Sequence, residues 1–124
     1  MSILIADDEI LIAEYFKTLV ENITDQKVIV AYSGKDAVQK TKTEQPDIIF
    51  MDISMETKTA GIEACNEINK LFPEIVIYFV SAYNEENYER ELNKCMYSGY
   101  IDKTTFSKYV GNAIKLIDEK TNNS

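Results

Sequence analysis

Five side chains in this sequence follow short apolar runs and together carry chemistry that none would carry alone. Asp7 and Asp8 follow SILIA, Asp52 follows DIIFM, Ser81 follows IVIYFV, and Lys103 follows GYID. Each run reads as a strand, and an open α/β sheet binds its ligands just outside the carboxyl ends of its strands. Bringing those ends together would gather three carboxylates, a hydroxyl and an ammonium on one edge. Three carboxylates in close proximity repel and resist joint ionisation, which a hard divalent cation relieves. An all-oxygen ligand set points to Mg²⁺, with Mn²⁺ as the alternative, rather than to zinc. Asp52 would then serve as a nucleophilic carboxylate. The cation and Lys103 would offset charge on a transferred phosphoryl group, and Ser81 would donate a hydrogen bond to it. Taken singly, these residues have ordinary readings: acids favour a helix N-terminus, serine caps helices, and most lysines are solvated. Their shared placement at strand ends favours a common site.

The elements that must position them alternate along the chain. Apolar runs at 2–6, 27–31, 47–51, 75–80 and 99–101 read as strands. Between them lie stretches with helical spacing. Ile12, Phe16, Leu19 and Ile23 mark a helix over about 9–22. Ser33 to Asp36 has the form of a capping box, and that helix stops before Pro46. Ile62, Cys65, Ile68 and Phe72 mark a third helix, ended by Pro73. A polar helix with a thin stripe of Tyr88, Leu92 and Cys95 is expected over 84–95, mobile and a candidate partner face. Phe106, Val110, Ala113, Ile114 and Ile117 make a strongly amphipathic last helix. Five strands alternating with five helices predict a doubly wound parallel α/β sheet with right-handed crossovers. The polar loop after the third strand is the one long connection.

Composition narrows the function classes. With 124 residues, a single domain with a full core is expected. Thirteen Lys and Arg against 21 Asp and Glu leave a net charge of −8, so neither nucleic acid nor an anionic membrane surface is an expected partner of this chain. The apolar runs are too short to span a bilayer, and no leader is expected from the opening residues. Cys65 and Cys95 form no CxxC and sit on apolar stripes, which suits core or near-core positions and a reducing, cytoplasmic setting. Histidine is absent, which removes His-based relays and His metal sites.

The same residues resemble the receiver domain of bacterial two-component response regulators, of the chemotaxis-regulator-like type. The likeness runs from Ile3 to about Ile117 and rests on ILIADDE, PDIIFMDISM, FVSAY and GYIDK. It implies a flavodoxin-like (βα)5 fold with strand order 2-1-3-4-5, residues 1–120 forming the receiver and 121–124 a tail or the start of a linker. It implies that a histidine kinase or histidine phosphotransfer protein donates a phosphoryl group to Asp52, which accepts it without being a turnover enzyme. By resemblance, Asp7, Asp8, Asp52 and the Ser54 carbonyl would hold Mg²⁺, with Asp7 acting largely through water. Ser81, the Ala82 amide and Lys103 would contact the phosphoryl group. Ser81 and Tyr100 would form the switch, remodelling the face of the fourth helix, fifth strand and fifth helix, through which dimerisation is a family expectation.

Three departures from the family pattern stand out. Thr104 replaces the usual Pro after the lysine, so a trans bond is predicted, since a non-proline cis bond costs about 2.5–4 kcal/mol. In the loop after the acceptor, Glu56 replaces Pro, and one extra residue precedes Gly61. Tyr83 is bulky and is expected to screen attacking water. Three other classes compete. A haloacid-dehalogenase-like phosphatase would need an acid where Ser54 stands. In a flavodoxin-like electron carrier, Asp7, Asp8 and Glu9 would repel the FMN phosphate. A phosphate-independent pseudo-receiver would bind no Mg²⁺. Among receivers, a free-standing form and the N-terminal part of a DNA-binding regulator both suit the polar ending EKTNNS.

Overall fold

The computed structural model describes residues 1–122, with side chains through Glu119. Five strands, β1 (Ser2–Ala6), β2 (Lys27–Ala31), β3 (Ile48–Met51), β4 (Val76–Ser81) and β5 (Gly99–Asp102), form one parallel sheet in the order β2-β1-β3-β4-β5. The helices α1 (Ile10–Ile23), α2 (Gly34–Glu44), α3 (Ala60–Leu71), α4 (Glu89–Leu92) and α5 (Phe106–Asn122) alternate with the strands. This is the doubly wound α/β fold expected from the alternation. Residues 121 and 122 are still helical, and the rest of the tail expected at 121–124 lies outside the described residues.

Alternate strand residues feed two cores. Ile3, Ile5, Ile48, Phe50, Val80 and Ile101 face α1 and α5, where Phe106 packs at 4.2 Å from Phe16 and edge-on to Phe50 at 5.3 Å. Leu4, Ala6, Ile49, Met51, Ile77 and Phe79 face α2 and α3. The central strands are buried on both sides, which is why they read as continuous apolar runs.

The capping signal of α2 is present in part as written. Ser33 Oγ accepts the Asp36 N–H at 2.9 Å, while the Asp36 carboxylate accepts from Tyr32 N–H rather than from Ser33. Gln45 takes the left-handed conformation (φ 44°, ψ 64°) and closes the helix ahead of Pro46.

The helix expected over 84–95 is not continuous. It is a 3-10 turn (Glu85–Tyr88) followed by the single turn of α4, and 93–98 is irregular. Only Tyr88 and Leu92 are buried along it. Glu85 and Glu86 place like charges at helical neighbour spacing to Glu89. A stripe of two buried side chains does not offset that repulsion or the cost of nucleating a helix.

Candidate functional site

Sheet register brings the acids together. Ala6 lies opposite Met51, so the residues that follow, Asp7 and Asp52, leave the sheet side by side. The ladder continues past both strand ends: Asp7 N–H donates to the Ala31 carbonyl at 3.0 Å and Asp52 N–H to the Ala6 carbonyl at 2.9 Å. The backbone of both acids is thereby fixed by the sheet. Asp7 is 1% exposed and Asp52 6%, while Asp8 is open to solvent.

Lys103 starts a 3-10 turn (Lys103–Thr105) directly after β5 and reaches past the end of β4. Its Nζ donates to Asp52 Oδ2 at 3.1 Å and lies 2.9 Å from Asp7 Oδ2. The peptide bond before Thr104 is trans, as expected, and Thr104 does not draw the lysine away from the acids. Instead Asp102 caps the turn, accepting from Thr104 N–H at 2.8 Å.

The electrostatics follow from burial and proximity. Burial pushes the Asp52 carboxyl up to about 6; Lys103 pulls it down, and Asp7 and Asp8 push it up. Burial works against the Lys103 ammonium, but the carboxylates of Asp7 and Asp52 outweigh it and hold the group above its ordinary range. Asp7 Oδ1 accepts the Glu9 N–H at 2.9 Å. Asp7 Oδ2 is buried, with the Lys103 ammonium 2.9 Å away as its charge partner. One oxygen from each of Asp7, Asp8 and Asp52 lies within 4.8 Å of the others. Three carboxylates sharing a single ammonium, with no nitrogen or sulfur donor in the group, fit a hard divalent cation such as Mg²⁺.

The remaining predicted residues ring this cluster. Ser81 is buried at the end of β4, opposite Asp102, and its Oγ accepts the Tyr83 N–H at 3.1 Å. Ala82 is exposed on the loop that follows. Ser54 lines a cleft of ≈ 460 Å³ together with Lys58, Tyr83, Asn87 and Tyr88. Tyr100 is half-buried against the α2–α3 core, and its hydroxyl donates to the Tyr83 carbonyl at 2.7 Å.

Two residues near the site escaped the reading of spacing. Tyr88, assigned there to a helix stripe, is a buried wall of the cleft, with Tyr83 edge-on to it at 6.5 Å. Its signal is a lone apolar ring among acids and amides. Glu56, read as a departure in the loop, reaches across to α2, where its carboxylate accepts from Gly34 N–H at 2.7 Å and Lys35 N–H at 3.0 Å. Those bonds hold its carboxyl below its ordinary value although burial opposes them. An anion at a helix N-terminus satisfies otherwise unpaired amides, so the loop bordering Asp52 is fastened to α2.

Comparisons with known proteins bear on the family and the fold. Residues 3–115 match the response regulator receiver domain. The oxygen regulatory protein NreC of Staphylococcus carnosus is 30% identical over 118 residues, covering 94% of this chain and 54% of the relative. The NreC of Staphylococcus haemolyticus is 33% identical over 104 residues, covering 83% and 48%. The chain thus spans about half the length of the curated relatives it matches. A crystal structure of a CheY-like response regulator receiver domain protein from Methanospirillum hungatei superimposes with a TM-score of 0.84 at 26% identity, covering 99% of this chain and 98% of that one.

Proposed function

This chain belongs to the response regulator receiver family, and from that membership we propose that it accepts a phosphoryl group on Asp52 from a histidine kinase or histidine phosphotransfer protein. The observation that carries the reading is Lys103 bridging Asp7 and Asp52 beside Asp8 at the carboxyl end of the sheet. We place the protein in the cytoplasm; no described helix is long and apolar enough to cross a membrane.

Asp7, Asp8 and Asp52, with the Ser54 carbonyl, would hold Mg²⁺, which when bound neutralises charge on the phosphoryl oxygens. Asp52 is mostly ionised at neutral pH. Lys103 engages Oδ2 and leaves Oδ1 to attack phosphorus. The bond from phosphorus to the donor's histidine nitrogen breaks, and the nitrogen takes the electron pair. Asp52 ends as an acyl phosphate. Lys103, Ser81 Oγ–H and the Ala82 amide then hold the phosphoryl oxygens. The chain is a covalent acceptor rather than an enzyme acting on many substrates.

Switching follows from what Ser81 gives up. Its oxygen accepts the Tyr83 N–H, and the Tyr83 carbonyl in turn holds the Tyr100 hydroxyl. Ser81 turning to the phosphoryl group breaks the first bond and loosens the second. Tyr100 is then free to repack, which alters the surface of residues 85–92, β5 and α5 that an output domain, a partner protein or a second copy would read.

Incubation with acetyl phosphate and Mg²⁺ is expected to add one alkali-labile, hydroxylamine-labile phosphoryl group, and chelation of the metal should prevent it. Absence of any adduct at saturating acetyl phosphate and Mg²⁺ would leave only the pseudo-receiver reading. Tyr83, 59% exposed on the cleft wall, is positioned to shield the acyl phosphate from water. Tyr83→Ala is therefore expected to shorten the lifetime of the phosphorylated state severalfold in a decay assay, and an unchanged lifetime would remove the shielding role.

A further inference from the structure

Cys65 and Cys95 lie far apart in sequence yet meet in the α2–α3 core. Cys65 is buried on α3, and Cys95 is partly exposed in the connector before β5. The Cys65 thiol donates to the carbonyl of Met96, the residue after Cys95, at 3.3 Å, and the Cys95 thiol donates to the Leu92 carbonyl at 3.7 Å; the two thiols are close enough that each shifts the titration of the other. Asn69, one turn along α3, binds both backbone groups of the same residue: its Oδ1 accepts the Met96 N–H at 2.7 Å, and its Nδ2 donates to the Met96 carbonyl at 3.1 Å. The connector is therefore held against α3, with Cys95 next to the residue that Cys65 and Asn69 bind and packed against the core that holds Cys65.

We propose that Cys65 and Cys95 are a redox pair that hydrogen peroxide converts to a reversible intramolecular disulfide, tying α3 to the connector that leads into β5. The partly exposed Cys95 is the sulfur that an oxidant reaches, and Cys65 waits behind it. Contact with Cys95, and then burial, pushes the Cys65 thiol up, while the same contact holds Cys95 below its ordinary range against the opposing effect of burial. Cys95, the less buried of the two, is the sulfur placed to react as the nucleophilic thiolate.

The Cys95 thiolate attacks one peroxide oxygen. The O–O bond breaks, and hydroxide leaves and takes up the proton that Cys95 gave up, forming water. Cys95 is now a sulfenic acid. The Cys65 sulfur attacks the Cys95 sulfur, the S–O bond breaks, and the departing hydroxide leaves with the Cys65 proton as a second water. Two thiols lose two electrons in all, and one hydrogen peroxide becomes two waters. Nothing in this step involves Asp52, so a failure of phosphoryl transfer leaves it untouched.

The test is thiol titration with intact-mass and peptide mapping of the folded chain before and after hydrogen peroxide. Both thiols are expected to disappear together, with loss of two hydrogens from the monomer mass, a peptide joining Cys65 to Cys95, and full recovery with dithiothreitol. In Cys65→Ser the reaction should stop at a sulfenic acid that dimedone traps. In Cys95→Ser, which changes the less buried position, the Cys65 thiol should survive peroxide and titrate only after denaturation. The proposal is overturned if Cys95 oxidises while Cys65 stays free, if the linkage joins two chains, or if neither thiol reacts in the folded protein.

Discussion

An Asp52→Asn variant is expected to accept no phosphoryl group and yet to melt at a higher temperature than the wild type in metal-free buffer at neutral pH. The first effect follows from the nucleophile: an amide offers no carboxylate lone pair to phosphorus, and no other described acid is held against Lys103 except Asp7, which is buried with both oxygens engaged. The second follows from burial. The Asp52 carboxyl stands at about 6 in the folded chain, against an ordinary value of 3.8, with burial as the largest cause. Between those values the folded state binds more protons than the unfolded one. The stability that this group contributes is fully present below the unfolded value and is lost as the pH rises through about 6. At neutral pH the ionised carboxylate is a burden that the amide does not carry. Lys103 loses one of its two partners in the variant, which offsets part of the gain. The net expectation is on the order of 1–2 kcal/mol, or a few degrees in Tm. Melting curves recorded from about pH 4 to about pH 8 should show the wild type losing stability through that window while the variant stays nearly flat. Parallel pH profiles would contradict the account. Added Mg²⁺ should raise the Tm of the wild type more than that of the variant, because the cation relieves the same repulsion.

Gly61→Ala is expected to cost more than about 3 kcal/mol and to disorder the acceptor loop even where the chain still folds. A Cβ at that position would lie 1.9 Å from the Asp52 carbonyl oxygen and 2.9 Å from both the Asp52 carbonyl carbon and the Ile53 Cα. All three are backbone atoms, and none is the movable end of a side chain. Gly61 N–H donates to the Ile53 carbonyl at 2.8 Å, so the start of α3 is stitched directly to the residues after the acceptor. The glycine serves close approach here and not a left-handed turn, since no described glycine has positive φ. Gly111→Ala is the control. A Cβ there would meet only Ile23 Cδ1 at 3.9 Å, on an exposed face of α5, and the change should stabilise by about 0.5–1 kcal/mol. Chemical denaturation of both variants measures the contrast, and similar costs at the two positions would refute the close-approach argument.

The extra residue in the loop after Asp52 also finds its place. Met55 N–H and Ala60 N–H both donate to the Thr57 carbonyl, so a tight turn takes up the added length before Gly61. Glu56 then anchors the turn to the N-terminus of α2. A departure from the family pattern in sequence thus becomes a second point of attachment beside the site.

What the chain alone made legible was local. Apolar runs marked the five strands because each is covered on both faces or packs one face, and capping and proline signals marked the start and end of α2. The identities and chain positions of Asp7, Asp8, Asp52, Ser81 and Lys103 followed from where those runs stop. The segment over 84–95 misled because a three-residue stripe resembles an amphipathic helix while its charges oppose one. Only the tertiary structure decided what depends on distance across the chain: Lys103 shared between two carboxylates, Tyr88 walling the cleft, Glu56 capping another element, Gly61 against the Asp52 backbone, and Cys65 bonded to the residue beside Cys95. Periodicity records which side of its own element a residue occupies. Which residue of a different element stands opposite is set by strand order and register, and so it becomes visible only once the sheet is assembled.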